Sequence, residues 1–209
     1  KAAVERIFTF KTMNAGQICL APDYTFVQAE LLPQFIELAK KFVADNFGTL
    51  ADNDDYGSII NERHRARIAG YIQEAMDRGY QTIPLSDDIG LDKLAHNHKL
   101  APTLVIDPAD DCKIMTDEIF GPAMPIKTYT DIRQVAAHIN RGERPLALYY
   151  FGKSKPEINL LKTNTTSGGM GSYHGFDGFR QLSHGKGFYK QGILSLTPFF
   201  KAPHTKMMG

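Results

Sequence analysis

The sequence has no tryptophan, only two cysteines in 209 residues, and no dominant charge sign. Each absence excludes something. Two cysteines, Cys19 and Cys112, cannot build a disulfide framework, so a reduced, cytoplasmic setting is expected. A formal net charge of +1 argues against nucleic acid or an anionic membrane surface as the main partner. No run reaches the roughly 18 apolar residues that a membrane span needs. The opening stretch KAAVERIFTF lacks the basic-then-apolar pattern and the small-residue cleavage site of a signal peptide. It has no initiating methionine and reads as mid-helix, so the chain is expected to be a fragment of a longer protein.

What is present is an ordinary globular composition, 43% hydrophobic and 22% charged, enough for one substantial core or two modest ones. Val4, Ile7, Phe8 and Met13 have helical spacing, and Gly16 is the expected stop. Residues 23–30 alternate like a strand. The stretch 33–48 opens with Pro33 and closes with Gly48, and 61–79 opens with Asn61 as N-cap and ends at Gly79; both are predicted helices. Short apolar runs at 80–85, 100–107 and 123–129 predict strands, 131–142 a short helix, and 155–162 another. The near-continuous apolar run 145–152 predicts a strand covered on both faces. Alternating strands and helices predict an α/β fold with a mainly parallel sheet flanked by helices. From about residue 166 the chain becomes glycine- and aromatic-rich without period, predicting an irregular C-terminal segment. The expected division is a thiol-bearing domain over 1–169 and a glycine-rich end with tail over 170–209.

Two stretches carry chemistry. In MNAGQICLAPDY, Cys19 follows a Gly-Gln-Ile turn just beyond a helix. Such a placement exposes the sulfur and the residue's own backbone N–H, which suits a nucleophile with an oxyanion donor beside it. A free thiol, with a pKa of about 8.5, needs help or good placement to react. The alternative is a small apolar residue filling a core. In MTDEIFGPAMPI, an acid (Glu118) and an aromatic (Phe120) precede a Gly-Pro turn and a strand. A carboxylate suits paired ribose hydroxyls and an aromatic face suits a flat heterocycle. The plain alternative is a turn with a solvated acid and a core Phe.

Taken together, NAGQICLAPDY and DEIFGP resemble the catalytic half of the NAD(P)-dependent aldehyde dehydrogenases. KAAVERI, HKLAPTLVID, INRGERPLALYYFG and GSYHGFDGFRQLSH follow in the family's order, so the resemblance covers essentially the whole chain. APDY and the histidines of the glycine-rich end look most like the class 3 and coniferyl-aldehyde branch, which takes fatty or aromatic aldehydes. The resemblance implies Cys19 as nucleophile, Glu118 and Phe120 as cofactor-binding residues, NAD or NADP as cofactor, a small-molecule aldehyde as substrate, and no metal. It also implies a homodimer paired through this half and through a C-terminal strand in GILSLTPFF (192–200). Asn14 and Gln17 are expected to shape the turn.

The match breaks in two places. The family's dinucleotide-binding half has no counterpart here; GMGSYH (169–174) has His174 where the phosphate-loop pattern needs glycine. And TTSGG runs straight into MGSYHG where the family has a further strand and loop. The chain alone is therefore expected not to turn over aldehyde. The rival readings are a cysteine hydrolase or acyltransferase using Cys19 with a histidine, and a non-enzymatic assembly module. Cys112 reads as incidental and the pair His96 and His98 as a solvated loop. The acidic stretches 52–55 and 87–88 read as turns, and Lys153 and Lys155 as surface lysines.

Overall fold

A computed structural model describes residues 1–91, 98–165, 188–190 and 200. The glycine-rich end, His96, His174, His184 and nearly all of GILSLTPFF lie outside the described residues. The chain divides into two compact units, one containing Lys1–Thr128 and the second beginning at Tyr129.

The first unit opens with α1 (Ala2–Thr12), continues through a 3₁₀ turn (Met13–Gly16) into β1 (Thr25–Gln28), and then forms α2 (Leu32–Phe47) and α3 (Glu62–Asp77). Strand β2 (Thr82–Pro84), strand β3 (Thr103–Ile106), the one-turn helix α4 (Lys113–Thr116) and strand β4 (Ala123–Tyr129) complete it. The four strands form one sheet in the order β1-β4-β3-β2. Strands β3 and β4 run parallel, Leu104 opposite Met124, and β2 joins antiparallel at the edge, Ile83 opposite Leu104. This is the helix-flanked α/β sheet that the sequence pattern predicts.

Alternation along the strands builds two cores, one on each face. Leu104, Met124 and Ile126 join Phe8 of α1 and Phe35, Phe42 and Val43 of α2 in one cluster. Val105 and Ala123 join Ile68 and Ile72 of α3 and Ile114 of α4 in the other. Burial on both sides explains why β3 and β4 read as continuous apolar runs. The helices are placed by their own signals. Pro33 sits in the first turn of α2, whose buried residues Phe35, Ala39, Phe42, Val43 and Asn46 make one stripe. Asn61 caps α3 by accepting from the His64 N–H at 3.0 Å. Lys99, buried, donates to the carbonyls of Leu50, Ala51 and Asn53 and fixes the chain that leaves α2.

In the second unit, α5 (Ile132–Arg141) starts in a capping box between Asp131 and Gln134. It buries Val135, Ala136 and Ile139, and α6 (Lys155–Asn164) buries Leu161. Asn140 on α5 donates to the carbonyl of Asn164 at 2.5 Å. Here one expectation is corrected. Residues 145–152 form no strand, and Leu146 and Tyr149 are about half exposed. An apolar run becomes a strand only when a neighbouring backbone accepts its ladder, and no described residue does so.

The tightest feature of the first core is aromatic. Phe8 is fully buried, with ring centroids 6.1 Å from Phe35 and 6.0 Å from Phe42. Phe8→Ala leaves a void between two helices and should lower unfolding free energy by about 3–5 kcal/mol. Urea unfolding followed by circular dichroism measures it, and a loss below about 1 kcal/mol would mean that α1 is not docked as described.

Candidate active site

The thiol turn begins where α1 is forced to end. Thr9 and Thr12 spend their hydroxyls on the carbonyls four residues back, those of Glu5 and Phe8, at 2.6 Å each. The next three residues after Met13 all take left-handed backbone: Asn14 at φ 49°, Ala15 at φ 52° and Gly16 at φ 75°. The helix expected to run to residue 15 therefore stops at Thr12, because left-handed residues cannot extend it. Two of these three carry a Cβ, so the turn is held against its own preference. Ala15 is fully buried, which fixes the turn from below.

Gln17 fixes it from the side. Its amide Nε2 donates to Asn14 O and to Ser58 O, and its Oε1 accepts from the Ile60 N–H, all at 2.9 Å. Asn14 Nδ2 returns a bond to Gln17 O at 3.2 Å. Beyond this lock, Ala21 N–H donates to Ile18 O at 2.9 Å and closes a turn with Cys19 at its first corner. Cys19 is exposed. Among the described residues its backbone N–H has no hydrogen-bond partner. Cys112 is the opposite case: it is buried, and burial pushes its thiol pKa up.

The acidic loop crosses directly against this turn. A Cβ placed on Gly16 would lie 2.4 Å from the Gly121 carbonyl oxygen, and one on Gly121 would lie 2.4 Å from Ile68 Cδ1. The two backbones touch at Gly16, where a side chain would run into the Gly121 carbonyl, whereas a side chain on Gly121 would press on the Ile68 side chain. From residue 118 to 120 exposure alternates, Glu118 out, Ile119 buried, Phe120 out. Phe120 takes φ 48° and is 40% exposed, an aromatic held outward on left-handed backbone. No hydrogen bond engages the Glu118 carboxylate among the described residues.

The peptide between these two side chains is gripped from both ends. Asp23, from the segment after the thiol turn, accepts the Ile119 N–H at 3.1 Å. Arg67 of α3 donates to Glu118 O at 3.1 Å and to Ile119 O at 2.7 Å. Beneath lies Lys11, fully buried; burial pushes its pKa down to about 8, against the pull of Asp23. Burial raises the Asp23 carboxyl in turn, opposed by Lys11 and by the Ile119 N–H. Cys19, Glu118 and Phe120 thus lie on two loops that the structure brings into contact. Sequence reasoning named those three and missed Lys11, Asp23 and Arg67. Asp23 stood inside the thiol motif itself, whereas Arg67 is one of several arginines on an amphipathic helix, with no local signal to single it out. Among the described residues no three His, Cys, Asp or Glu side chains converge as a metal site; His98 meets Glu62 at the surface.

Residues 1–187 match the aldehyde dehydrogenase family. The chain belongs to that family. It is 38% identical to a protein named probable coniferyl aldehyde dehydrogenase in Caulobacter vibrioides, covering 94% of this chain and 45% of that one. A coniferyl aldehyde dehydrogenase of a Pseudomonas species is also 38% identical, covering 87% and 43%. Among solved structures, the Staphylococcus aureus AldH in its substrate-bound state superposes over the full length of this chain and 50% of its own, with TM-score 0.71 and 26% identity. The chain spans about half the length of the curated relatives named here. The match to the Caulobacter protein runs over 221 residues, more than the 209 of this chain, so that aldehyde dehydrogenase holds internal residues that this member lacks.

Two outcomes follow from this geometry. Gly16→Ala forces backbone apart at the crossing and should cost about 3 kcal/mol, whereas Gly79→Ala, also at positive φ but facing open space, should cost about 1 kcal/mol. Denaturant titration of both separates contact from conformation; equal losses would mean that the loops do not touch. The second outcome concerns Lys11. Above about pH 8 the folded chain releases this proton while the unfolded chain still holds it, so stability rises with pH. Over the first pH unit above that value the rise should reach about 1 kcal/mol and vanish in Lys11→Met, as read from urea midpoints; an unchanged slope in the variant would remove Lys11 as its source.

Proposed function

We propose that this chain carries the thiol half of an NAD(P)-dependent aldehyde oxidation, with Cys19 as nucleophile and Glu118 and Phe120 holding the nicotinamide end of the dinucleotide. The observation that carries the reading is the crossing at Gly16 and Gly121, which brings the loop of the exposed Cys19 against the loop of the outward Glu118 and Phe120. The donor set suits the cofactor. An exposed carboxylate accepts from ribose hydroxyls, and an aromatic face on a gripped peptide packs against a flat ring. When bound, the nicotinamide accepts a hydride.

The chain's own residues supply the rest. The Cys19 thiolate attacks the aldehyde carbon and forms a C–S bond, giving a thiohemiacetal. In this reading the Cys19 N–H donates to the oxygen that becomes negative. Loss of hydride from that carbon leaves a thioester on Cys19. Water cleaves the C–S bond, releasing the carboxylic acid and returning the thiol. Thioester hydrolysis is the reason for sulfur here, since the nucleophile must also leave.

An aromatic aldehyde of the coniferyl kind, or a fatty aldehyde, fits the relatives' names as substrate. Either NAD or NADP serves as cofactor in this reading; a rat relative, 31% identical, is named dimeric NADP-preferring. A homodimer formed through this catalytic half and a C-terminal strand accords with that name, and a reduced thiol accords with the cytoplasm. No described helix is long and apolar enough to cross a membrane. The thiol-bearing domain is taken as 1–169 with the glycine-rich end over 170–209. These 209 residues alone contribute one side of the cofactor site, so steady turnover with NAD⁺ and aldehyde should be absent while acyl transfer to the thiol persists.

An activated aryl ester tests both parts. It should acylate Cys19, with release of the phenol, and the adduct should be hydroxylamine-labile. Cys19→Ser should slow the reaction about a hundredfold or more, and Cys112→Ala should leave it within about twofold. Acylation confined to Cys112, or sustained NADH formation by the chain alone, would contradict the reading.

A further inference from the structure

We propose that Arg67 is a positioning residue that presents Glu118 and Phe120 to the dinucleotide, an inference that rests on the function proposed above. The case is geometric. Ile119 is fully buried while both its neighbours face outward, so the orientation of the two peptide units flanking Ile119 decides where the acid and the aromatic point. Arg67 spans both units with a fork. Nη1 reaches Glu118 O at 3.1 Å and Nη2 reaches Ile119 O at 2.7 Å. Two charge-assisted bonds to successive carbonyls fix rotation as well as distance, which a single ammonium cannot do.

The fork is itself held. Nη1 also donates to Tyr71 Oη at 3.1 Å, and the Arg67 guanidinium carbon lies 5.2 Å from the Tyr71 ring centroid. Tyr71 Oη donates in turn to Asp117 Oδ2 at 2.7 Å, and that bond, the largest influence on it, keeps the Asp117 carboxyl below its ordinary range. The chain of contacts runs from α3 through Arg67 and Tyr71 to Asp117, the residue just before Glu118. It closes on the same loop from which it started. Phe120 keeps φ 48° on this loop, a conformation that the surroundings must impose. Asp23 supplies the opposing grip at the Ile119 N–H, so release of Arg67 frees one end of the peptide and leaves the thiol turn attached.

The test uses the 209-residue chain as wild type, Arg67→Lys, Arg67→Gln and Tyr71→Phe, with circular dichroism to confirm folding. Two quantities are read on each. One is amide hydrogen exchange of the peptide covering 118–121. The other is protection of Cys19 from iodoacetamide by NADPH, taken as the ratio of alkylation rates without and with the dinucleotide. In Arg67→Gln, exchange at 118–121 should accelerate about tenfold relative to peptides of α1 and α2, and the NADPH concentration for half-protection should rise about tenfold. Arg67→Lys should not rescue either quantity, because it keeps charge and loses the fork. Tyr71→Phe should move both in the same direction by about threefold, and it carries the test where an Arg67 variant does not fold. Folded variants with wild-type exchange and wild-type protection overturn the role of Arg67 alone. A wild-type chain that NADPH does not protect at any concentration overturns the proposed function, and the positioning role with it.

Discussion

Everything chemical in this molecule depends on one close approach, that of the Gly16 and Gly121 backbones. Gly16 has no room for a Cβ against the Gly121 carbonyl, a Cβ on Gly121 would press on the Ile68 side chain, and each glycine lies at the root of a loop that carries candidate reactive groups. The thiol turn leaves α1, and the acidic loop leaves α4. Their sequence separation is large, so only tertiary packing makes them neighbours. Closing such a contact is entropically costly, and the two-sided core supplies the stabilisation. Phe8 anchors α1 on one face of the sheet and Ile68 anchors α3 on the other, with Ile68 also filling the space above Gly121.

Conformational strain follows from that approach. Asn14, Ala15 and Phe120 all sit at positive φ without being glycine. These residues flank the crossing, and the hydrogen bonds around them are dense: Gln17 sews the thiol turn to residues 58–60, while Asp23 and Arg67 hold the Ile119 peptide. A loop made rigid in this way does not collapse onto the protein. It leaves Cys19 and Phe120 outward, as the proposed covalent site requires. Lys11 and Asp23 show what the arrangement costs, since both are pushed towards their neutral forms by burial beneath the turn.

Much of this was legible in the residues, and the boundary of legibility has a physical reason. Strand β4 and the caps at Asn61 and Asp131 were readable because local signals and tertiary outcome agree there. The end of α1 was misplaced because three left-handed residues, two of them not glycine, are imposed by the crossing and leave no mark in helical spacing. The run 145–152 failed as a strand for a related reason: its composition suits a sheet, but pairing depends on a partner backbone that no local pattern reports. At the site, Cys19, Glu118 and Phe120 were singled out by the family resemblance of their two motifs, and all three are exposed on loops that meet. Asp23 and Arg67 act through backbone atoms of a distant loop, and such bonds carry no sequence signature.

The most direct measurement is a crystal structure of the chain with NADPH. The account predicts the nicotinamide ring packed on the Phe120 face, its ribose hydroxyls on the Glu118 carboxylate, and the Cys19 sulfur turned toward the same cleft. A dinucleotide seated on another face, or a Cys19 sulfur sealed beneath the turn, would contradict it.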